Sequence, residues 1–105
     1  MMHYGKLLAL AGLVGIVSAQ GREVWYLQLN EAVSRRLVEL MQERGMTQYQ
    51  LYMKSGVPKS TIGNLVNCAY PSMKLRIIHE LCQGLEIDLS SFFASPLFDE
   101  NNLEP

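Results

Sequence analysis

The chain has 105 residues, of which 49% are apolar and 18% charged, so it is long enough for one small globular domain and is composed neither like a disordered nor like a fibrous chain. Nine Lys and Arg stand against ten Asp and Glu, a net charge of −1, which excludes a uniformly basic nucleic-acid coat. Two cysteines, Cys68 and Cys82, without a CxxC or a Cys/His ladder, exclude a disulfide-stapled miniprotein and argue against structural zinc.

Leu7 to Val17 reads LLALAGLVGIV, too short for the roughly 20 residues that cross a bilayer. Three readings of this opening stay open. With Lys6 before it and Val17 and Ala19 placed like a small-residue cleavage site, it resembles a secretory signal or anchor. Gly21-Arg22-Glu23-Val24 can also be encoded by a purine-rich string that matches a bacterial ribosome-binding sequence, with Leu27 or Leu29 a few codons on. Residues 1–26 would then be translated upstream DNA. The third reading is an apolar arm that docks on the domain or on a second chain.

Beyond this extension the pattern is helical. Asn30 is placed to cap a first helix, in which Val33, Leu37, Leu40 and Met41 recur at helical spacing and Gly45 closes the end. Thr47 with Gln50 three residues on is a capping box for a second helix running to Ser55. Gly56-Val57 forms a tight turn. Pro58 suits the first turn of a third helix that reaches about Asn67 and turns Ile62 and Leu65 inward.

Cys68 to Pro71 is a loop, and Ser72 is placed to cap a fourth helix whose buried stripe is Leu75, Ile78, Leu81, Cys82 and Leu85. Asp88 caps a short fifth helix bearing Leu89, Phe92 and Phe93, and Ser95-Pro96 ends it. The only strand signal, a weak one, is Val24 to Leu27. Met41, Met46, Met53 and Met73 read as core filler, and Tyr49, Tyr52 and Tyr70 as packing ahead of stacking or phosphate bonding. Phe92, Phe93, Leu97, Phe98 and Leu103 are more apolar surface than one short helix should expose. They are expected to pack on the first helix or to form a two-fold interface.

The segment 47–65 has a specific spacing: a short helix, a turn at Gly56-Val57, and a second short helix anchored by Ile62 and Leu65. Two such helices pack near 90–120° and leave the second projecting, in a shape that fits the major groove of B-DNA. The stretch TQYQLYMKSGVPKSTIGNLVNCAYPS, followed by KLRIIHELCQGLEIDLSSFF, resembles the Cro/C1-type (XRE-like) helix-turn-helix family. The likeness covers about residues 30 to 95 and rests on Thr47-Gln48, Gly56-Val57-Pro58, Ser60-Thr61-Ile62, Pro71-Ser72 and Gly84-Leu85-Glu86-Ile87.

The resemblance implies an all-α, five-helix, lambda-repressor-like domain at 30–95, preceded by the apolar extension 1–29 and followed by an acidic tail 96–105. Three residues depart from the family pattern. Tyr52 stands where Ala is usual, Ser55 where an apolar residue is commoner, and Gly63 where a polar contact residue is frequent.

The implied activity is sequence-specific binding of double-stranded DNA by a small cytoplasmic transcription regulator. The resemblance implies that Gln48 bonds a phosphate at a helix N-terminus. Lys59, Ser60 and Asn64 lie on the outward face of the third helix. Lys59 can reach guanine or a phosphate, and Asn64 can make the two-bond contact with adenine. Thr61 and Asn67 are expected at phosphates, and Lys54, Lys74 and Arg76 supply general attraction.

The charge pattern bears on this reading. From Arg44 to His79 the basic residues are Arg44, Lys54, Lys59, Lys74 and Arg76 with no acid among them. From Glu80 onward there are only acids: Glu80, Glu86, Asp88, Asp99, Glu100 and Glu104. This fits either a basic face backed by an acidic end or chance clustering on solvated surfaces.

No nucleophile–base pair, phosphate-cradling loop or metal ligand set stands out, and His79 with Cys82 lacks further ligands. The expectation is a non-enzyme that takes no cofactor, metal or small-molecule substrate, paired as a homodimer and not held at a membrane. Two alternatives remain: a protein-interaction module that keeps the fold without DNA affinity, and an exported or membrane-tethered helical protein.

Overall fold

The computed structural model describes residues 16–19 and 22–105. Most of the segment carrying the signal, upstream-DNA and docking-arm readings, residues 1–15, lies outside the described residues. What precedes the domain is a two-stranded antiparallel hairpin, β1 (Ile16–Ala19) and β2 (Arg22–Trp25), in the register Ile16 opposite Trp25 and Ala19 opposite Arg22. The weak strand signal at Val24 to Leu27 thus corresponds to a strand ending at Trp25.

Five α-helices follow: α1 (Leu29–Glu43), α2 (Gln48–Ser55), α3 (Lys59–Val66), α4 (Leu75–Leu85) and α5 (Leu89–Phe93). The chain closes with two 3₁₀ turns, Pro96–Phe98 and Glu100–Asn102. The cap of helix α1 lies two residues before the expected one. Gln28 is the cap residue, and its backbone N–H donates to Glu31 Oε1 at 3.2 Å. Asn30 is therefore inside the helix, and its side chain is free to bond elsewhere.

The box at α2 forms as the sequence dictates. Gln50 N–H donates to Thr47 Oγ1 at 3.1 Å, and Thr47 N–H donates to Gln50 Oε1 at 2.9 Å. Gly56 then takes φ 77°, a left-handed conformation that glycine adopts without a steric cost.

Helix α4 begins later than the sequence suggests. Lys74, not Ser72, is its cap residue, with extended backbone at φ −78° and ψ 137°. Starting there, the first turn runs past the core, and Leu75 is 75% exposed instead of buried. The rest of the stripe, Ile78, Leu81, Cys82 and Leu85, is buried as its spacing requires.

The core gathers Leu37, Leu40 and Met41 of α1, Leu51 of α2, Val57 of the turn, Ile62 and Leu65 of α3, the α4 stripe and Phe92 of α5. Each fully buried aliphatic side chain contributes about 1.5–3 kcal/mol, so both helices of the helix-turn-helix are clamped from behind. Helices α2 and α4 approach closely. A Cβ placed on Gly84 would lie 2.7 Å from Ser55 Cβ and 3.0 Å from the Ser55 backbone.

That contact explains a small residue at Ser55, whose Oγ also accepts the Val57 N–H at 3.1 Å. Tyr52 points outward, 38% exposed, with its ring 6.0 Å from that of Tyr49. The unusual tyrosine therefore does not wedge the helix pair apart. Met53, expected as core filler, is 62% exposed on the same outer surface. A helix as short as α2 has only one side facing the core, and Leu51 occupies it.

A second small cluster, Leu27, Ala32 and Leu97, with Phe98 and Leu103 against it, fastens the chain ends to α1. Leu27 N–H donates to Asn102 O at 2.8 Å and Glu104 N–H to Leu27 O at 2.8 Å, a parallel bridge between Leu27 and Leu103. Arg36 of α1 donates from Nε to Phe92 O at 2.7 Å and from Nη2 to Ser91 O at 2.8 Å. The phenylalanines Phe92, Phe93 and Phe98 meet with ring centroids 4.9–6.2 Å apart. Of the two expectations for the apolar end of the chain, the structure shows packing on the first helix.

Candidate nucleic-acid interface

Helix α3 has two unlike sides because its apolar residues are spaced three apart. Ile62 and Leu65 are buried, whereas Lys59, Ser60 and Asn67 are exposed and Thr61, Gly63 and Asn64 are half-buried. Residues 59, 60, 63, 64 and 67 fall on one outward stripe. That side faces away from the core and no other element covers Lys59 or Ser60.

Helix α2 adds its N-terminus to this surface. A Cβ on Gly63 would sit 3.5 Å from Gln48 Oε1, so the Gln48 side chain lies over the glycine. A methyl group at 63 would only touch that carboxamide. Lys59 Nζ stands 5.7 Å from the centre of the Tyr49 ring, a cation–π contact that ties the starts of α2 and α3 together. Gln48, Lys59, Ser60 and Asn64 are thereby grouped on one surface, beside the α2 N-terminus where backbone N–H groups favour anions.

Asn64 has a further partner. Its Nδ2 donates to the Tyr70 hydroxyl at 2.7 Å. Tyr70 and Tyr49 are 37% and 55% exposed, so these tyrosines, like Tyr52, are surface residues and not packing. No pattern in the sequence marks Tyr70, because its place depends on a turn after α3 that reverses the chain. Lys54 lies at the other end of α2 and pairs with Glu86 Oε2 at 3.4 Å, both side chains more than half exposed. Its positive charge is partly met by that carboxylate.

The basic run in the sequence is dispersed in space. Arg44 donates from Nε to Leu85 O at 2.9 Å and serves the scaffold, whereas Lys59, Lys74 and Arg76 remain exposed. Both thiols are pushed above their ordinary range, chiefly by burial, and at Cys68 also by the nearby Glu31 carboxylate. Among the described residues no group of three His, Cys, Asp or Glu is arranged to hold a metal ion. Among the described residues, too, no helix is long and apolar enough to cross a membrane.

A capped short helix, a glycine turn and a projecting second helix with a polar outer stripe define a helix-turn-helix domain. Residues 36–94 match the family model for the Cro/C1-type HTH DNA-binding domain, and the chain belongs to that family. Comparison with curated proteins gives no match. Among solved structures the wild-type restriction-modification controller protein C.Esp1396I is similar, with 26% identity over 62% of this chain and 83% of that one and a TM-score of 0.58. The same controller as a tetramer on its natural 35 base-pair operator gives 26% identity, 62% and 84% coverage and a TM-score of 0.59. Bound to a 19 base-pair duplex it gives 26% identity, 62% and 85% coverage and a TM-score of 0.58.

Proposed function

We propose that the protein is a small transcription regulator that binds a specific double-stranded DNA site by laying the outer stripe of α3 in the major groove. The observation that carries this reading is the placement of Lys59, Ser60 and Asn64 on an uncovered face while Ile62 and Leu65 anchor the opposite face in the core. Gln48 at the α2 N-terminus, with Thr61 and Asn67 at the sides of α3, holds phosphates and sets the depth of insertion. Lys59 donates to guanine or to a phosphate, and Asn64 reads adenine. Lys54 adds general attraction, reduced by its pairing with Glu86. The reading is of a cytoplasmic binding protein without a catalytic role or a cofactor, its domain spanning 30–95.

One module of this size makes few base contacts, and specific sites for such domains come in pairs. A homodimer supplies the second module, as the tetrameric assembly of C.Esp1396I on its operator illustrates for that protein. The apolar groove of about 480 Å³ that includes Leu29, Val33, Met73, Leu75, Ile78 and Phe93 is the surface we assign to the second copy. Sedimentation equilibrium of the full chain with Leu75→Asp should show a wild-type dimer and a variant monomer. A wild type that stays monomeric at high concentration removes the dimer.

The DNA reading is tested by selecting bound sequences from random duplex DNA with the full chain, then measuring affinity for the winner against salt. A defined motif and a steep loss of affinity with salt, with a log–log slope of about −0.9 per phosphate contact, are expected. No enriched motif and no salt dependence would identify an interaction module that has kept the fold alone.

A further inference from the structure

We infer that Tyr70 is a positioning residue for base readout: its hydroxyl holds one hydrogen of the Asn64 carboxamide and so presents the amide's other edge to the groove. The inference rests on the assignment of Asn64 to the base-reading face. A surface asparagine rotates freely about its last bond and offers donor and acceptor in either order. Adenine accepts only one order, a donor toward N7 and an acceptor toward the N6 amino group. The Asn64 Nδ2 group has two hydrogens. With one given to the Tyr70 hydroxyl at 2.7 Å, Asn64 keeps its second hydrogen and Oδ1 for a base, the donor and acceptor that adenine requires.

Tyr70 is six residues beyond Asn64 and is brought back by a tight turn. Asn67 N–H donates to Gly63 O at 3.0 Å, Cys68 N–H to Leu65 O at 3.1 Å and Ala69 N–H to Asn64 O at 2.8 Å. Cys68 takes φ 55° in this turn, a left-handed conformation that a non-glycine residue adopts at a steric cost.

The far side of the turn is held by α1. Asn30 Nδ2 donates to Tyr70 O at 2.9 Å and lies 3.4 Å from Cys68 Sγ. The backbone that carries the phenol is therefore tied to α1, and Tyr70 and Asn64 are joined before any DNA arrives. Orientation set in advance removes an entropic cost of binding.

The test uses the full chain, Tyr70→Phe, Asn64→Ala, the double variant and Asn30→Ala. Base preference at every position of the selected site is measured, together with thermal stability and the salt slope. Tyr70→Phe is expected to lose roughly fivefold discrimination at one base pair, the worth of one hydrogen bond, with melting temperature and salt slope unchanged. Asn64→Ala should lose discrimination at that same base pair, and the double variant should be no worse than Asn64→Ala. Asn30→Ala, which loosens the loop, should give a smaller loss at the same position.

Wild-type discrimination in Tyr70→Phe, alongside a loss in Asn64→Ala, overturns the role of Tyr70 and leaves the base reading standing. An even loss of affinity across all sequences with a lower melting temperature assigns Tyr70 to the scaffold alone. If Asn64→Ala changes no position, the assignment of Asn64 fails and that of Tyr70 fails with it.

Discussion

The two ends of α3 are built differently. At its start, Lys59 and Ser60 are open to solvent, and Lys59 is steadied by no more than a tyrosine ring at 5.7 Å. Near its end, Asn64 is held by a short hydrogen bond to Tyr70, and the Tyr70 backbone is in turn held by Asn30 of α1. A long cation that swings can follow a phosphate or a base over several positions. A carboxamide held by a hydrogen bond is less free to do so. In the proposed reading this difference is a division of labour, with attraction and insertion at the start of the helix and discrimination further along.

Both ends share the same foundation, and the largest predicted effect tests that. Ile62→Ala removes an anchor that is fully buried under α3 and should cost about 2–5 kcal/mol, read by urea denaturation. Both kinds of DNA contact should be lost together as the helix loosens. Next comes Gly84→Ala. Its new methyl meets Ser55 at 2.7 Å, and the forced separation of α2 from α4 should cost about 1–3 kcal/mol. In the folded fraction, binding should weaken through Gln48 and Tyr49 while base preference at the Asn64 position persists.

Smaller again is Lys59→Ala. It should reduce affinity by roughly tenfold and make the salt slope shallower by about 0.9, the signature of one lost phosphate neutralisation. A change confined to one base pair, with the slope intact, would assign Lys59 to guanine instead. The smallest effect is expected for Lys54→Ala. The exposed pair with Glu86 contributes well under about 1 kcal/mol to stability, and the salt slope should barely change.

Much of this architecture is legible in the sequence because short-range rules dominate it. Thr47 with Gln50, Gly56, and Ile62 with Leu65 each dictate a local geometry that does not depend on the rest of the chain. The start of α4 is less legible. Ser72 is a good cap residue by type, but extended backbone through Lys74 delays the helix and leaves Leu75 outside the core. Asn30 is a good cap residue as well, yet the box between Gln28 and Glu31 starts α1 earlier.

In the candidate site, the outward stripe of α3 follows from helical spacing alone. The contacts around it do not. Tyr70 reaches Asn64 only because Cys68 adopts a left-handed turn, and Lys54 meets Glu86 only because α2 crosses α4. Such long-range pairings have no periodicity to reveal them.

Entry of α3 into the groove with its outer stripe forward, as proposed, can be read amide by amide. The most direct measurement is a titration of ¹⁵N-labelled full-length protein with the selected duplex, followed through backbone amide shifts. The largest changes should fall at Gln48, Tyr49 and from Lys59 to Asn67, with Leu29, Leu75 and Phe93 little affected at constant oligomeric state. Still amides along α3, with the changes gathered around the Leu29–Leu75 groove, would contradict it.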